Sequence, residues 1–391
     1  MSKIWWILLV LIFHFKEIEC FVSCYSCIEG ESNTRCNVAG TISCSLNQIC
    51  YTEVTRRPLV VKRYTKGCMD SMDCMTKMNL NDKMTCDETP SKYVLLQIGS
   101  VGICGSDIKY WKYGKCGIFI LEKPMVMGHE ASGTVVQIGP GVKHLKVGDR
   151  AAIEPGVPCR TCRLCKSGKY NLCKDIFFCA TPPDDGKEGA LLEPLSVAVY
   201  ACQRGDVTLG SSVLICGAGP VGVLTLLVAK QMGASCVVIT DIDEERLNFA
   251  RLKGADHAIK VNTTDSKEFA DFVIDKVGFQ PDSTIECSGT DFSFSMGIHL
   301  SLYPGGSVVM VGRCQGNTSI PYNVAATKQV DIKGLFRYVN CYPTALEMVE
   351  SGRIDLKDFV THRFDMTETV KAFETVDDKA MKAIKVIINC N

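Results

Sequence analysis

Apolar and polar positions follow different rules in different stretches of this chain. From Val213 onward, short and wholly apolar runs are parted by longer amphipathic ones. Val213-Leu214-Ile215-Cys216 predicts a strand buried on both faces, Gly217 to Gly222 a glycine-rich turn, and the run to Met232 a helix. Cys236 to Thr240 predicts the next strand, closed by Asp241. Ser283–Cys287 and Ser307–Val311 read as further strands, and the tail as a helix around Thr344–Glu350 and a last strand, Ala383–Ile388. Strand, turn, helix and strand in this order predict an α/β, doubly wound parallel sheet. Upstream the runs are shorter. Ser91–Ile98, Val135–Ile138 and Ala151–Ile153 read as strands, with turns at Gly139-Pro140-Gly141 and Val147–Arg150, which predicts a β-rich, barrel-like domain.

The first 88 residues break both patterns. Lys3 is followed by ten apolar residues, Ile4 to Phe13. A bilayer span takes about 20 residues, so residues 1–20 read as a signal peptide, with a membrane-anchored or buried helix as the alternative. Residues 21–88 have few long apolar runs, and a core there would be thin.

Composition sharpens this division. A length of 391 residues suits two or three domains. Lys+Arg and Asp+Glu are equal at 43 each, and there is no basic run, so no nucleic-acid partner is expected. Of 23 cysteines, nine fall in the first 86 residues, four lie between Cys159 and Cys173, and ten are scattered. Scattered thiols suit a reducing cytoplasm; a dense group ahead of them suits a secreted disulfide scaffold. One chain shows two redox habits.

Three constellations carry chemistry. Gly217-x-Gly219-x-x-Gly222 follows a predicted strand, opens a predicted helix, and has Asp241 19 positions after its last glycine. Gly217 suits the tight turn, Gly219 the approach to a pyrophosphate, and Gly222 the packing of helix on sheet. Asp241 would accept from ribose hydroxyls and repel a 2′-phosphate, favouring NAD, although Arg246 offers such a phosphate a partner. A glycine-rich turn without ligand is the bland alternative. Cys159-x-x-Cys162-x-x-Cys165-x7-Cys173 suits a closed, structural zinc site, with chance thiols or disulfides as the alternative. Cys104, in Gly102-Ile103-Cys104-Gly105-Ser106-Asp107, and His129 and Glu130, in Gly128-His129-Glu130-Ala131-Ser132-Gly133, offer a zinc set with one open position. Glu130 also reads as a carboxylate that only orients His129.

These motifs occur in the order seen in zinc-containing medium-chain dehydrogenases. Residues about 93–391 resemble, more narrowly, the sorbitol (polyol) dehydrogenases, through Phe177–Gly186, Glu193-Pro194-Leu195-Ser196-Val197 and Gly334-Leu335-Phe336-Arg337-Tyr338. The resemblance implies a Rossmann domain over 197–338 and a GroES-like catalytic domain over 89–196 and 339–391. It implies oxidation of a sorbitol- or xylitol-class polyol to the ketose, with hydride passing to NAD. Cys104, Ser106, His129, Glu130 and Glu193 would form the catalytic set, the first, third and fourth holding zinc. Tyr110, Glu193, Arg337 and Tyr338 would meet the polyol. Val221, Asp241, Arg246, Val311, Gly312, Arg313, Leu335, Phe336 and Arg337 would join the glycines at NAD. A homotetramer is implied; the short apolar run of the leader, separately, predicts no membrane span in the mature chain.

The head resembles the lymphocyte-antigen, snake-toxin-like three-finger domains through Cys24-Tyr25-Ser26-Cys27, Cys50-Tyr51-Thr52 and Lys66-Gly67-Cys68. This implies pairs Cys24–Cys50, Cys27–Cys36, Cys44–Cys68 and Cys74–Cys86; a zinc reading of Cys24 and Cys27 is the alternative. The closing loop of such domains is missing. The body also departs from its family. A pair of strands expected before Tyr93 is replaced by the head, and a stretch expected between Gly186 and Lys187 is absent, so the catalytic barrel is expected to be incomplete. The body implies the cytoplasm, the leader secretion. The rival reading is a secreted three-finger binding module carrying an inactive dehydrogenase body, or two unrelated coding sequences joined.

Overall fold

The computed structural model describes residues 94–182, 191–302, 304–314 and 316–390, together with the backbone of the strands Ser23–Tyr25, Thr41–Ser43, Gln48–Arg56 and Lys62–Asp70. The stretch read as a signal peptide, most of the head and residues 183–190, where a shortening is expected, lie outside the described residues. The chain forms two compact units, one holding 97–134 and 150–391, the other 11–96 and 135–149. In the second, Gln48–Arg56 and Lys62–Asp70 pair antiparallel with Cys50 opposite Cys68, and Ser23–Tyr25 pairs with Thr41–Ser43. The four implied disulfides, Cys24–Cys50, Cys27–Cys36, Cys44–Cys68 and Cys74–Cys86, lie outside the described residues.

The first unit contains a six-stranded parallel sheet. Its spatial order is His257–Lys260, Cys236–Asp241, Ser212–Cys216, Ser283–Glu286, Ser307–Met310, Asp331–Gly334. In chain order this is 3-2-1-4-5-6, the dinucleotide-binding arrangement. Ile215 lies in register with both Ile239 and Ile285, and all three are fully buried. Helices on both faces explain why these strands read as unbroken apolar runs. Pro220–Gln231 and Leu192–Arg204 pack together through Leu195, Val199, Leu224 and Val228.

The catalytic part is built on a five-stranded sheet ordered Val360–Asp365, Lys385–Asn389, Val94–Gly102, Ala131–Ile138, Arg150–Ala152. Among the described residues this sheet is open. Ile387 pairs with Gly102, and Ser132 with Ala152. This pairing brings the last long strand of the chain beneath Cys104. Ile103, Ile108, Phe364, Phe373, Val386 and Ile388 form a small core there.

Candidate metal centre and nucleotide site

Cys104 is the N-cap of helix Gly105–Tyr113, whose far end stops at Gly114 with φ +66°. His129 and Glu130 directly precede strand Ala131–Ile138. Backbone pairing holds the two segments together, since Gly102 N donates to Glu130 O at 2.7 Å. As a result one donor atom from each of Cys104, His129 and Glu130 lies within 4.8 Å of the others. Gly102 makes that approach possible: a Cβ there would sit 2.4 Å from Glu130 Oε2.

Two buried residues hold the set in place. Asp107 Oδ2 accepts from Cys104 N at 2.9 Å, while its Oδ1 lies 3.5 Å from His129 Nδ1. Lys385, 3% exposed, forms an ion pair with Glu130 and donates to Ile103 O at 3.0 Å. It is therefore Asp107 that faces the outer ring nitrogen of His129, which leaves Glu130 available as a ligand. His129 Nε2 is turned towards Ser106 Oγ, 3.5 Å away. Burial works to lower the pKa of His129, but the Asp107 carboxylate and the Cys104 sulfur outweigh it, and the imidazole is held well above its usual range. A soft sulfur, an imidazole and a carboxylate, together in a site rich in anionic groups, fit zinc with an open position.

Glu193 stands in the first turn of Leu192–Arg204 and is 6% exposed. Burial pushes its pKa up to about 7, against the pull of His129 and with the push of Glu130. Tyr110, on the helix of Cys104, is pushed up to about 12, chiefly by burial. The Arg337 guanidinium packs 3.5 Å above Phe178 and 4.6 Å above Phe336. Arg337 and Asn340 both take left-handed backbone, φ +56° and +54°. This costly shape is gripped from outside: Asn171 Nδ2 donates to Phe336 O at 2.7 Å, and Asn340 N to Tyr170 Oη at 2.8 Å.

Asn171 and Tyr170 belong to the four-cysteine lobe. The sulfurs of Cys159, Cys162, Cys165 and Cys173 lie within 4.8 Å of one another. Cys162 N donates to Cys159 Sγ at 3.4 Å, and Cys165 N to Cys162 Sγ at 3.5 Å. The backbone N–H groups of Thr161 and Cys162 pull the Cys159 thiol down to about 6. Four converging sulfurs with N–H donors fit a closed tetrahedral zinc site.

At the nucleotide turn Gly217 has φ +97°, and a Cβ on Gly222 would sit 1.9 Å from Gly217 O. Asp241 ends its strand with Oδ2 accepting from Ala218 N at 2.7 Å and Oδ1 from Asp243 N at 2.9 Å. A cavity of about 290 Å³ is lined here by Gly217, Gly219, Asp241, Arg246, Ser288 and Thr290 among others. Val221, Val311, Gly312, Arg313, Leu335 and Phe336 do not line it. Arg313 instead packs 5.4 Å above Phe336, and its carbonyl accepts from Lys109 Nζ at 2.8 Å.

Comparison with known proteins decides the family. The alcohol dehydrogenase GroES-like domain matches residues 90–213, and the zinc-binding dehydrogenase domain residues 220–351. Human sorbitol dehydrogenase is 48% identical over 320 residues, 76% of this chain and 89% of that protein. The chain belongs to the sorbitol dehydrogenase family. The mouse member is 49% identical over the same shares, and the chicken member 45%. Among solved structures, L-idonate 5-dehydrogenase from Escherichia coli superposes with a TM-score of 0.70 at 26% identity, covering 88% of this chain and 99% of that one. The family works with NAD and zinc, for which the donor sets and the glycine turn described above are suited. Sequence reading missed Lys385 and gave Asp107 no role. Nothing local marks a lysine inside an apolar strand as the partner of a distant glutamate.

Proposed function

We propose that this chain oxidises a polyol of the sorbitol or xylitol class to the ketose, with NAD as hydride acceptor. The observation that carries the reading is the convergence of Cys104, His129 and Glu130 beside a buried Glu193, in a chain with an intact dinucleotide fold. Cys104, His129 and Glu130 would hold the catalytic zinc, and the four-cysteine lobe the structural one. The chemistry that zinc and NAD supply when bound is acidification of an alcohol and acceptance of a hydride.

The remaining work belongs to the protein. Tyr110 keeps its O–H at neutral pH and donates to a polyol oxygen. Arg337 and Tyr338 orient further hydroxyls, with Phe178 as an apolar wall. Glu193, with a pKa near 7, exchanges a proton at its carboxylate, and Ser106 Oγ stands beside His129 as a second proton-bearing atom. Asp241 and the turn at Gly217–Gly222 bind the adenosine and pyrophosphate of NAD. The rest of the expected NAD set, Val311 to Arg313 and Leu335 to Arg337, serves the nicotinamide half. Assembly is proposed to be homotetrameric. Among the described residues no helix is long and apolar enough to cross a membrane. No observation favours the alternative of a binding module carrying an inactive body.

The test is NADH formation from sorbitol and xylitol by zinc-loaded protein. The wild type turns over; His129→Ala loses catalytic zinc and turnover but still binds NADH. A wild type that holds zinc and NADH yet oxidises no polyol sinks the proposal.

A further inference from the structure

Glu286 ends the central strand Ser283–Glu286 and is 2% exposed. Among the described residues no cation pairs with it. Its Oε1 instead accepts from Ser288 N at 2.7 Å, Ser288 Oγ at 2.7 Å, Gly289 N at 2.8 Å and Ser293 Oγ at 2.8 Å. Its carbonyl accepts from Val311 N at 2.9 Å and Gly312 N at 2.8 Å. One residue thus holds the two loops that leave neighbouring strands.

Those loops are pressed together. A Cβ on Gly312 would sit 2.2 Å from Gly289 N and 2.6 Å from Glu286 Oε2, and one on Gly289 would sit 2.8 Å from Arg313 N. Gly289 also has φ +70°. Ser288 and Thr290 face the dinucleotide cavity beside Asp241.

A carboxylate is acceptor-only. With its proton given to Glu286, the Ser288 hydroxyl, which also lies 2.6 Å from Ser293 Oγ and 3.2 Å from Thr290 Oγ1, keeps only acceptor capacity towards the cavity. Phosphates offer no donor; a ribose hydroxyl does. We propose that Glu286 is a positioning residue for the dinucleotide. It sets the spacing of the loops at Ser288–Thr290 and Val311–Arg313 and fixes the Ser288 hydroxyl as an acceptor for a ribose hydroxyl. The inference rests on the proposed use of NAD.

The experiment is fluorescence titration of zinc-loaded protein with NADH, alongside steady-state KM values for NAD and polyol. Glu286→Gln, which replaces the charged acceptor of Ser288 and of both loop amides by a neutral amide oxygen and so loosens the hold on the Ser288 hydroxyl, weakens NADH binding about tenfold, the effect of one charge-assisted hydrogen bond. The KM for NAD rises with it, and the KM for polyol stays put. Ser288→Ala weakens NADH several-fold, and the double variant is no weaker than Glu286→Gln alone, because one residue acts through the other. Should Glu286→Gln not fold, Ser288→Ala with unchanged NADH affinity overturns the inference by itself. NADH affinity unchanged in Glu286→Gln, or losses that multiply in the double variant, also overturn it. A wild type that binds no NADH would instead sink the NAD reading beneath it.

Discussion

Lys385 reaches Glu130 from the last strand of the chain, and both side chains are almost wholly buried, at 3% and 1% exposed. Removing one partner of a buried pair leaves the other charge unmatched, at about 3–5 kcal/mol. Lys385→Met is therefore expected to destabilise the metal-free protein by about that amount. Zinc, which would take over the Glu130 charge, should restore part of the loss. Thermal unfolding with and without zinc checks this. Equal destabilisation in both states would show that Lys385 matters for packing and not for the charge of the ligand.

Zinc retention should depend on pH through His129. The Asp107 carboxylate and the Cys104 sulfur raise its pKa despite burial, so in the metal-free protein the ring keeps its proton above the usual histidine range. Zinc must displace that proton. Affinity is therefore expected to rise with pH up to the raised pKa and to fall on acidification from there, a window that begins above about 6.5. Asp107→Asn lowers the pKa and moves the window to lower pH. Competition against a chromogenic chelator across pH measures it, and an unmoved window in Asp107→Asn would refute the assignment.

Glu193 makes an opposite prediction for folding. Its pKa rises from 4.5 to about 7, mainly through burial. Between those values the folded protein holds a proton that the unfolded chain has released. Stability of the metal-free protein is thus complete below the lower value and declines as pH climbs through the window. The loss by its upper end is about 3 kcal/mol. Glu193→Gln should abolish this slope in urea midpoints taken at several pH values. If the slope survives, another group carries it.

The nucleotide half was legible because parallel strands covered on both faces are written as continuous apolar runs, and Gly217–Gly222 with Asp241 is a local signal. The candidate metal ligands were legible as motifs, and the geometry brings their donor atoms together. Strand boundaries there were not. Ala131–Ile138 begins four residues before its apolar run, because Ala131-Ser132-Gly133-Thr134 carries no strand signal and is held by pairing with Arg150–Ala152. Lys385 falls inside the predicted last strand, Ala383–Ile388, and carries no signal of its own there. Its purpose exists only once antiparallel pairing of Ile387 with Gly102 sets it below Glu130. Glu286 was hidden in the same way, since its partners are backbone amides and hydroxyls that any polar loop supplies.

Asn171 offers the sharpest separation of lobe from catalysis. It is 3% exposed, sits two residues before Cys173, and donates to Phe336 O at 2.7 Å. That bond grips the segment in which Arg337 takes its left-handed backbone. Asn171→Ala leaves a buried carbonyl without its donor, at about 1–3 kcal/mol. Arg337 should then relax away from Phe178, so the KM for polyol rises about tenfold, in line with a loss near 1.4 kcal/mol. NADH affinity and the zinc content of the four-cysteine lobe should stay as in the wild type, because neither the cavity at Asp241 nor the four sulfurs depends on this bond. Steady-state kinetics, NADH titration and metal analysis on one preparation distinguish the outcomes. An unchanged polyol KM would mean that the 336–340 segment keeps its shape without the lobe.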